Sequence, residues 1–304
     1  MTGMARPSSA ADGYRISPYS RRLHLGDRLR TLRQEQDRSI QQVAKDAAMD
    51  RTLLTRIETG QRRVTADVSM RIVENLGVEQ HSPLWQEFYA LARDAAQQGW
   101  WESRAFRGLS ERQARPADLE AGASRIRWYD FALVPGLLQS PAYVRARHDA
   151  TVTDDYSSTN PVEIRARQRR QQEALSEGGP RIEVVVEETV IRRRLVPGPA
   201  MLEQLEHLLK LVDTCDRIDF RILPVEGELL GVKAPRSPMS IYEFAADDPP
   251  LVIAESLTDD ALLRDPDEVA RHVQLWRRQH EIALPPHESR ALIARSAEVL
   301  AKEL

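Results

Sequence analysis

The stretch Ser39-Ile40-Gln41-Gln42-Val43-Ala44-Lys45-Asp46-Ala47-Ala48-Met49-Asp50-Arg51-Thr52-Leu53-Leu54-Thr55-Arg56-Ile57-Glu58-Thr59-Gly60 decides how this chain is read. It spells two short helices and their punctuation. Ser39 and Gln42 form a capping box: the Ser39 hydroxyl takes the Gln42 amide, and the Gln42 side chain reaches back. Val43, Ala44 and Ala47 follow as an apolar stripe. Ala47-Ala48-Met49 makes a tight connection, and Asp50 is an N-cap for the next helix. That helix runs from Arg51 to about Thr59 and stops at Gly60, a residue suited to the left-handed conformation that ends helices.

Two helices of this length with a tight turn between them cross steeply, and Ala44, Ala47 and Ala48 are small enough for close approach. Leu54 and Ile57 face inward, which leaves Arg51, Thr52, Thr55, Arg56 and Thr59 outward. Such a face suits the major groove of duplex DNA. Arginine bonds guanine O6 and N7 bidentately, and threonine donates to phosphate or touches a thymine methyl. A helix-turn-helix uses its second helix in this way.

Helical spacing continues on both sides. Leu25, Leu29 and Leu32 precede the pair. Thr65 caps a fourth helix with Val68, Ile72, Val73 and Leu76 inward and Gly77 as its stop. A fifth helix, from Leu84 to Ala96, carries Leu84, Trp85, Phe88, Leu91 and Ala95. Beyond it, Leu119 to Tyr129 reads as helical, Val134 to Leu138 as a turn, and Asn160-Pro161-Val162-Glu163 as a helix start. Runs at Ile182–Val186, Ile218–Leu223, Ser240–Phe244 and Leu251–Ala254 read as strands, with helices near 199–213, 266–283 and 286–302. The expectation is α+β overall: an all-α five-helix helix-turn-helix domain followed by a mixed α/β domain with a small sheet. The chain divides into a flexible arm over 1–21, the DNA-binding domain over 22–97, a linker over 98–115, and a sensor or dimerisation domain over 116–304.

Leu25-Gly26-x-x-Leu29-Arg30-x-x-Arg33, Ser39-x-x-x-Val43-Ala44 and Leu54-Thr55-Arg56-Ile57-Glu58-x-Gly60-x-Arg62-Arg63 together resemble the Xre (phage Cro/repressor-like) regulators. The resemblance implies base reading by Arg51, Thr52 and Arg56, and phosphate contacts near Thr55, Arg62 and Arg63. It makes Glu58 a structural anion paired with Arg30. Ile40 departs from the glutamine that many members place there for a phosphate contact. Trp100-Trp101, Leu119-Glu120-x-x-Ala123, Val134-Pro135-Gly136-Leu137-Leu138-Gln139-x-Pro141-x-Tyr143-x-Arg145, Arg167-x-x-Arg170-Gln171, Glu187-Glu188, Gln204-Leu205 and Ile222-Leu223-Pro224 extend the likeness. They resemble the actinobacterial Xre regulators that carry a C-terminal domain of unknown function. Such regulators are often encoded beside a very small partner protein, which implies a sensing or partner-binding role.

Composition sets the outer limits. Of 304 residues, 41% are hydrophobic and 29% charged, with net charge −3. Residues 1–80 carry fourteen Lys/Arg against ten Asp/Glu, so the basic side is the N-terminal quarter. Phosphate contact would want that bias. No apolar run approaches the ~18 residues of a membrane span. The single Cys215 excludes an internal disulfide and fits a reducing cytoplasm. Glycine-rich phosphate loops, a Gly-x-Ser-x-Gly elbow and paired histidines at metal spacing are all missing, so neither a catalytic residue, a metal nor a cofactor is expected. Glu183, Glu187 and Glu188 read as a strand face. Glu255 and Tyr129 are where an undetected enzymatic site would sit. Trp100-Trp101 either clamps a ligand or anchors a linker. The arginines at 165, 167, 169 and 170 make either an anion surface or a solvated helix.

The expected function is sequence-specific regulation of transcription in the cytoplasm, by a homodimer on an inverted-repeat operator of double-stranded DNA. The C-terminal domain would bind a small-molecule effector or a small partner protein, with no membrane involved. An antitoxin-like partner of a small neighbouring protein is the alternative.

Overall fold

Side-chain caps set the starts of the first five helices. The computed structural model describes residues 15–150, 161–226, 234–245, 248–256 and 258–304. Helix α1 (Pro18–Glu35) opens on Ser17, whose hydroxyl accepts from the Ser20 amide, with proline at its first position. Ser39 and Gln42 form the expected reciprocal box at the start of α2 (Ile40–Asp46). Asp50 accepts from the Thr52 and Leu53 amides to start α3 (Arg51–Glu58). Thr65 and Ser82 cap α4 (Ala66–Asn75) and α5 (Pro83–Ala95). Gly60 and Gly77 adopt the left-handed conformation after α3 and α4. These five helices enclose one core that includes Leu29, Val43, Ala47, Leu54, Ile57, Ile72, Leu76, Phe88 and Leu91.

Residues 100–106 make two single-turn 3-10 segments in which Trp100 packs on Trp101 and Phe106. Helix α6 (Glu111–Gly122) follows. The arm read over 1–21 falls outside the described residues as far as residue 14, and its last four residues belong to α1.

A mixed six-stranded sheet forms the rest: β1 (Ala123–Asp130), β2 (Arg181–Glu187), β3 (Ile218–Leu223), β4 (Met239–Phe244), β5 (Leu251–Ala254) and β6 (Ala261–Leu263). Its order is β3-β2-β1-β4-β5-β6. β1, β2 and β3 are parallel, whereas β5 runs antiparallel to both β4 and β6. Helices intervene as α7 (Pro141–Ala150), α8 (Pro161–Leu175), α9 (Thr189–Arg192) and α10 (Gly198–Thr214), and α11 (Pro266–Ile282) and α12 (Pro286–Lys302) close the chain. Asn160, read as the cap of α8, lies outside the described residues. Tyr129, Val185, Leu223, Ile241 and Val252 pack with Trp276 of α11 on one face. Ile182, Val184 and Val186, which alternate with Val185, are also fully buried, so β2 is covered on both sides.

The helix read over Leu119–Tyr129 is corrected. The chain leaves α6 at Gly122 and continues as β1. Leu119, Ala123 and Ile126 mimic a helical period, while Ile126, Arg127, Trp128 and Tyr129 are all buried, so the strand shows no alternation.

Two compact units result. The first holds residues up to Arg107 with Ala114–Ala123 and Phe244–Pro249; the second holds Gly108–Gln113, Ser124–Glu243 and Pro250–Leu304.

Candidate nucleic-acid interface

Helix α3 is amphipathic by construction. Leu54 and Ile57 are buried in the five-helix core, whereas Arg51, Thr52, Thr55 and Arg56 are exposed along the opposite side. The connection from α2 turns through Ala48, a non-glycine residue at φ 52°. Asp50 then sits at the head of α3, and hydrogen bonds from Thr52 hold its carboxyl below the ordinary carboxylate range. The Thr55 hydroxyl donates to the Arg51 carbonyl at 3.0 Å, so it must rotate off that carbonyl to donate to a phosphate. After Gly60 the chain curls back, and the Arg62 amide donates to the Arg56 carbonyl at 3.1 Å. Arg62 is thereby brought beside the end of α3. The structure gathers Arg51, Thr52, Thr55, Arg56 and Arg62 into one exposed surface.

Helix α1 fixes the far end of α3. A Cβ on Gly26 would stand 2.5 Å from the Glu58 carbonyl oxygen and 2.7 Å from that of Ile57, so only glycine permits this approach. Arg33 grips the buried Glu58 carboxylate bidentately, with Nε and Nη2 at 2.7 and 2.9 Å. Arg30, expected as the partner of Glu58, bonds the Glu58 backbone carbonyl at 3.1 Å, and its Nε stands 3.9 Å from the carboxylate. The reason is directional. Helical side chains lean toward the N-terminus, so Arg33 reaches back over the turn that faces Glu58. Gly26, Arg30 and Arg33 share one face of α1 at spacings of four and three, and that spacing is the signal that identifies the clamp.

The cations of this unit fall into two classes. Arg28 pairs with Glu87, Arg33 with Glu58, Arg38 with Asp46 and Arg93 with Asp94. Arg63 is paired with Glu102 of the 3-10 turn, and so differs from the other expected contacts. Arg51, Arg56 and Arg62 have no ion pair among the described residues. Two other charges tie α1 down. Asp118 of α6 accepts from the Ser17 hydroxyl at 2.6 Å and the Tyr19 amide at 3.0 Å. Asp248 meets Arg21 at 3.2 Å and His24 at 2.7 Å. Burial pushes the Asp118 carboxyl up to about 6.

The second unit has its own titratable cluster. Glu255, just beyond β5, is pushed up to about 7 by burial and by the charges of Asp130 and Asp260, against Arg112 and Arg170. Asp130 is likewise raised, chiefly by burial, although the Ala132 and Leu133 amides bind it. Tyr129 donates to Glu187 at 2.7 Å, away from Glu255. In α8, Arg167 donates to Gln139 and the buried Arg170 to Gln113, each at 2.7 Å, while Arg169 pairs with Glu173. Among the described residues no His, Cys, Asp and Glu group is arranged to hold a metal. Nor is any helix there long and apolar enough to cross a membrane.

Comparison with known families accords with this division of labour. Residues 24–82 match a helix-turn-helix domain. Residues 113–295 match a domain of unknown function, DUF5753. No curated protein and no solved structure matches the chain. With the larger match covering more than half its length, the chain belongs to the DUF5753 family, and it carries that domain behind an N-terminal helix-turn-helix DNA-binding domain.

Proposed function

We propose that this protein is a sequence-specific transcriptional regulator that binds an inverted-repeat operator as a homodimer and answers to a ligand or small partner of its C-terminal domain. The observation that carries this reading is the exposed side of α3 and the turn after it, where Arg51, Arg56 and Arg62 have no ion pair among the described residues while Leu54 and Ile57 bury the opposite side in the core. Unpaired guanidinium groups along one helix face are suited to guanine edges and phosphates. Arg51 and Arg56 read bases with Thr52. Thr55, Arg62 and, once released from Glu102, Arg63 hold the backbone.

Dimerisation has support on α5. Trp85 and Tyr89 stack with ring centroids 5.2 Å apart, and Leu84 and Tyr89 are exposed beside them. Aromatic side chains of this kind supply apolar area at interfaces. A single small module also gives modest affinity, which a second copy on a second half-site multiplies.

The test is Arg56→Ala, measured by fluorescence anisotropy on the operator and on unrelated duplex. Each protomer loses one bidentate base contact worth about 1–3 kcal/mol, so operator affinity of the dimer falls by about 2–6 kcal/mol, roughly thirtyfold or more, while binding to unrelated duplex changes far less. Equal losses on both duplexes would reduce Arg56 to a phosphate contact, and no loss on either would overturn the assignment.

A further inference from the structure

In the second unit, α9, the start of α10 and the last turns of α12 enclose a groove of about 490 Å³. Its floor is apolar: Ile191, Met201, Leu205, Leu292 and Leu300 are all buried. Val299 stands at the mouth, 58% exposed. The rim has one sign of charge, with Arg192, Arg194 and Arg295 beside Ser296. Arg192 is held by Glu188 at 2.7 Å, and Arg194 by Glu303. Arg295 is exposed and has no ion pair among the described residues.

The groove is of a size typical for small-ligand sites. Its chemistry narrows the ligand further. An apolar floor alone accepts any oily molecule. A guanidinium at the rim favours a ligand that ends in an anion, because the planar fork matches a carboxylate, and it opposes a cationic head. A neutral hydroxyl or carbonyl head group offers Arg295 an acceptor but no charge, and its hydrogen bond is about half as strong.

We propose that this groove binds an amphipathic anion, an aliphatic chain lying over the floor with its carboxylate at Arg295. Arg192 and Arg194, neutralised by Glu188 and Glu303, line the rest of the rim, so the uncompensated charge there is that of Arg295. The site lies wholly within the second unit, so this assignment and the DNA reading stand or fall separately.

The probe is sodium dodecanoate, titrated into the full chain by calorimetry below its micelle concentration, with dodecyltrimethylammonium as the cationic counterpart. Arg295→Glu and Val299→Asp serve as variants. Both positions are exposed, so the fold is not at risk, and circular dichroism checks it. The expected result is saturable one-to-one binding of dodecanoate, weakened at least tenfold by each variant, with no saturable binding of the cation. Absence of saturable dodecanoate binding would overturn the proposal. So would equal affinity for Arg295→Glu, or equal binding of the cationic amphiphile.

Discussion

The recognition face of the helical unit and the sheet of the second unit treat arginine in opposite ways. In the sheet, charge is used internally. Arg127, buried in the middle of β1, pairs with Glu183 of β2 at 3.1 Å and with Glu243 of β4, so one guanidinium spans three neighbouring strands. Arg125 repeats the pattern at the more exposed end, and Arg112 holds Asp260 bidentately. In the helical unit the same logic ends at the edge of α3. Arg33 is locked onto Glu58, and one helix face away Arg51, Arg56 and Arg62 stand without carboxylates. Pairing is how both units hold the arginines that build the fold, and the exposed face of α3 lacks it among the described residues. Arg295, beside the apolar groove, likewise has no ion pair among the described residues.

The sharpest way to break this contrast is to remove Glu58. Its carboxylate is 3% exposed and bonded bidentately, so Glu58→Ala strands Arg33 and costs about 3–5 kcal/mol. Glu243→Ala costs less, since that side chain is 28% exposed and Glu183 remains for both arginines. Urea unfolding of the two variants gives the comparison directly. Equal losses would mean that the clamp on α3 is no tighter than the shared network of the sheet.

Next in size is the anchor of α1. Asp118 carries a folded-state pKa of about 6 against an ordinary value of 3.8. Between those values the folded chain holds a proton that the unfolded chain has released, so folding weakens as pH rises through that window. Asp118→Asn keeps an acceptor for Ser17 and Tyr19 without the buried charge. Its Tm therefore gains on that of the parent as pH is raised from 4 to 7. A Tm difference constant with pH would show that burial does not control this carboxyl.

The smallest effect concerns Glu102, which occupies Arg63. Glu102→Gln frees one more cation for phosphate. Surface pairs of this kind are worth about 0–1 kcal/mol, so DNA affinity rises no more than roughly fivefold for each protomer. The salt dependence of binding steepens by about one counterion per protomer. Unchanged affinity and slope would leave Arg63 outside the interface.

Much of the helical unit was legible because caps are local chemistry. Ser39 with Gln42, Asp50 before Arg51, Thr65 and the two glycines carry their signals within four residues, and the structure uses each of them. The outward set on α3 was readable for the same reason, from helical spacing around Leu54 and Ile57. What escaped depends on partners far along the chain. The expected Arg30–Glu58 pair is present at 3.9 Å, but seeing Arg33 as the tighter partner needs the direction in which helical side chains lean, as well as their spacing. The pairing of Arg63 with Glu102 spans 39 residues and has no local signature. In β1, burial on both faces erased the alternation that identifies strands, and a charged residue at its centre is satisfied only by carboxylates 56 and 116 positions away. The order of the sheet rests on such pairings throughout. The three residues of β6 are too few to show any period. In α8, arginines that spacing left open between solvent and an anion surface are partly turned inward, toward Gln139 and Gln113.

The central claim is that the unpaired arginines of α3 read DNA sequence. Selection of bound duplexes from a random pool, run in parallel with the parent chain and Arg56→Ala, tests it most directly. The parent is expected to converge on an inverted repeat, and the variant to lose preference at one symmetric pair of positions. Failure of the parent to converge, or an identical selected sequence from both chains, would contradict it.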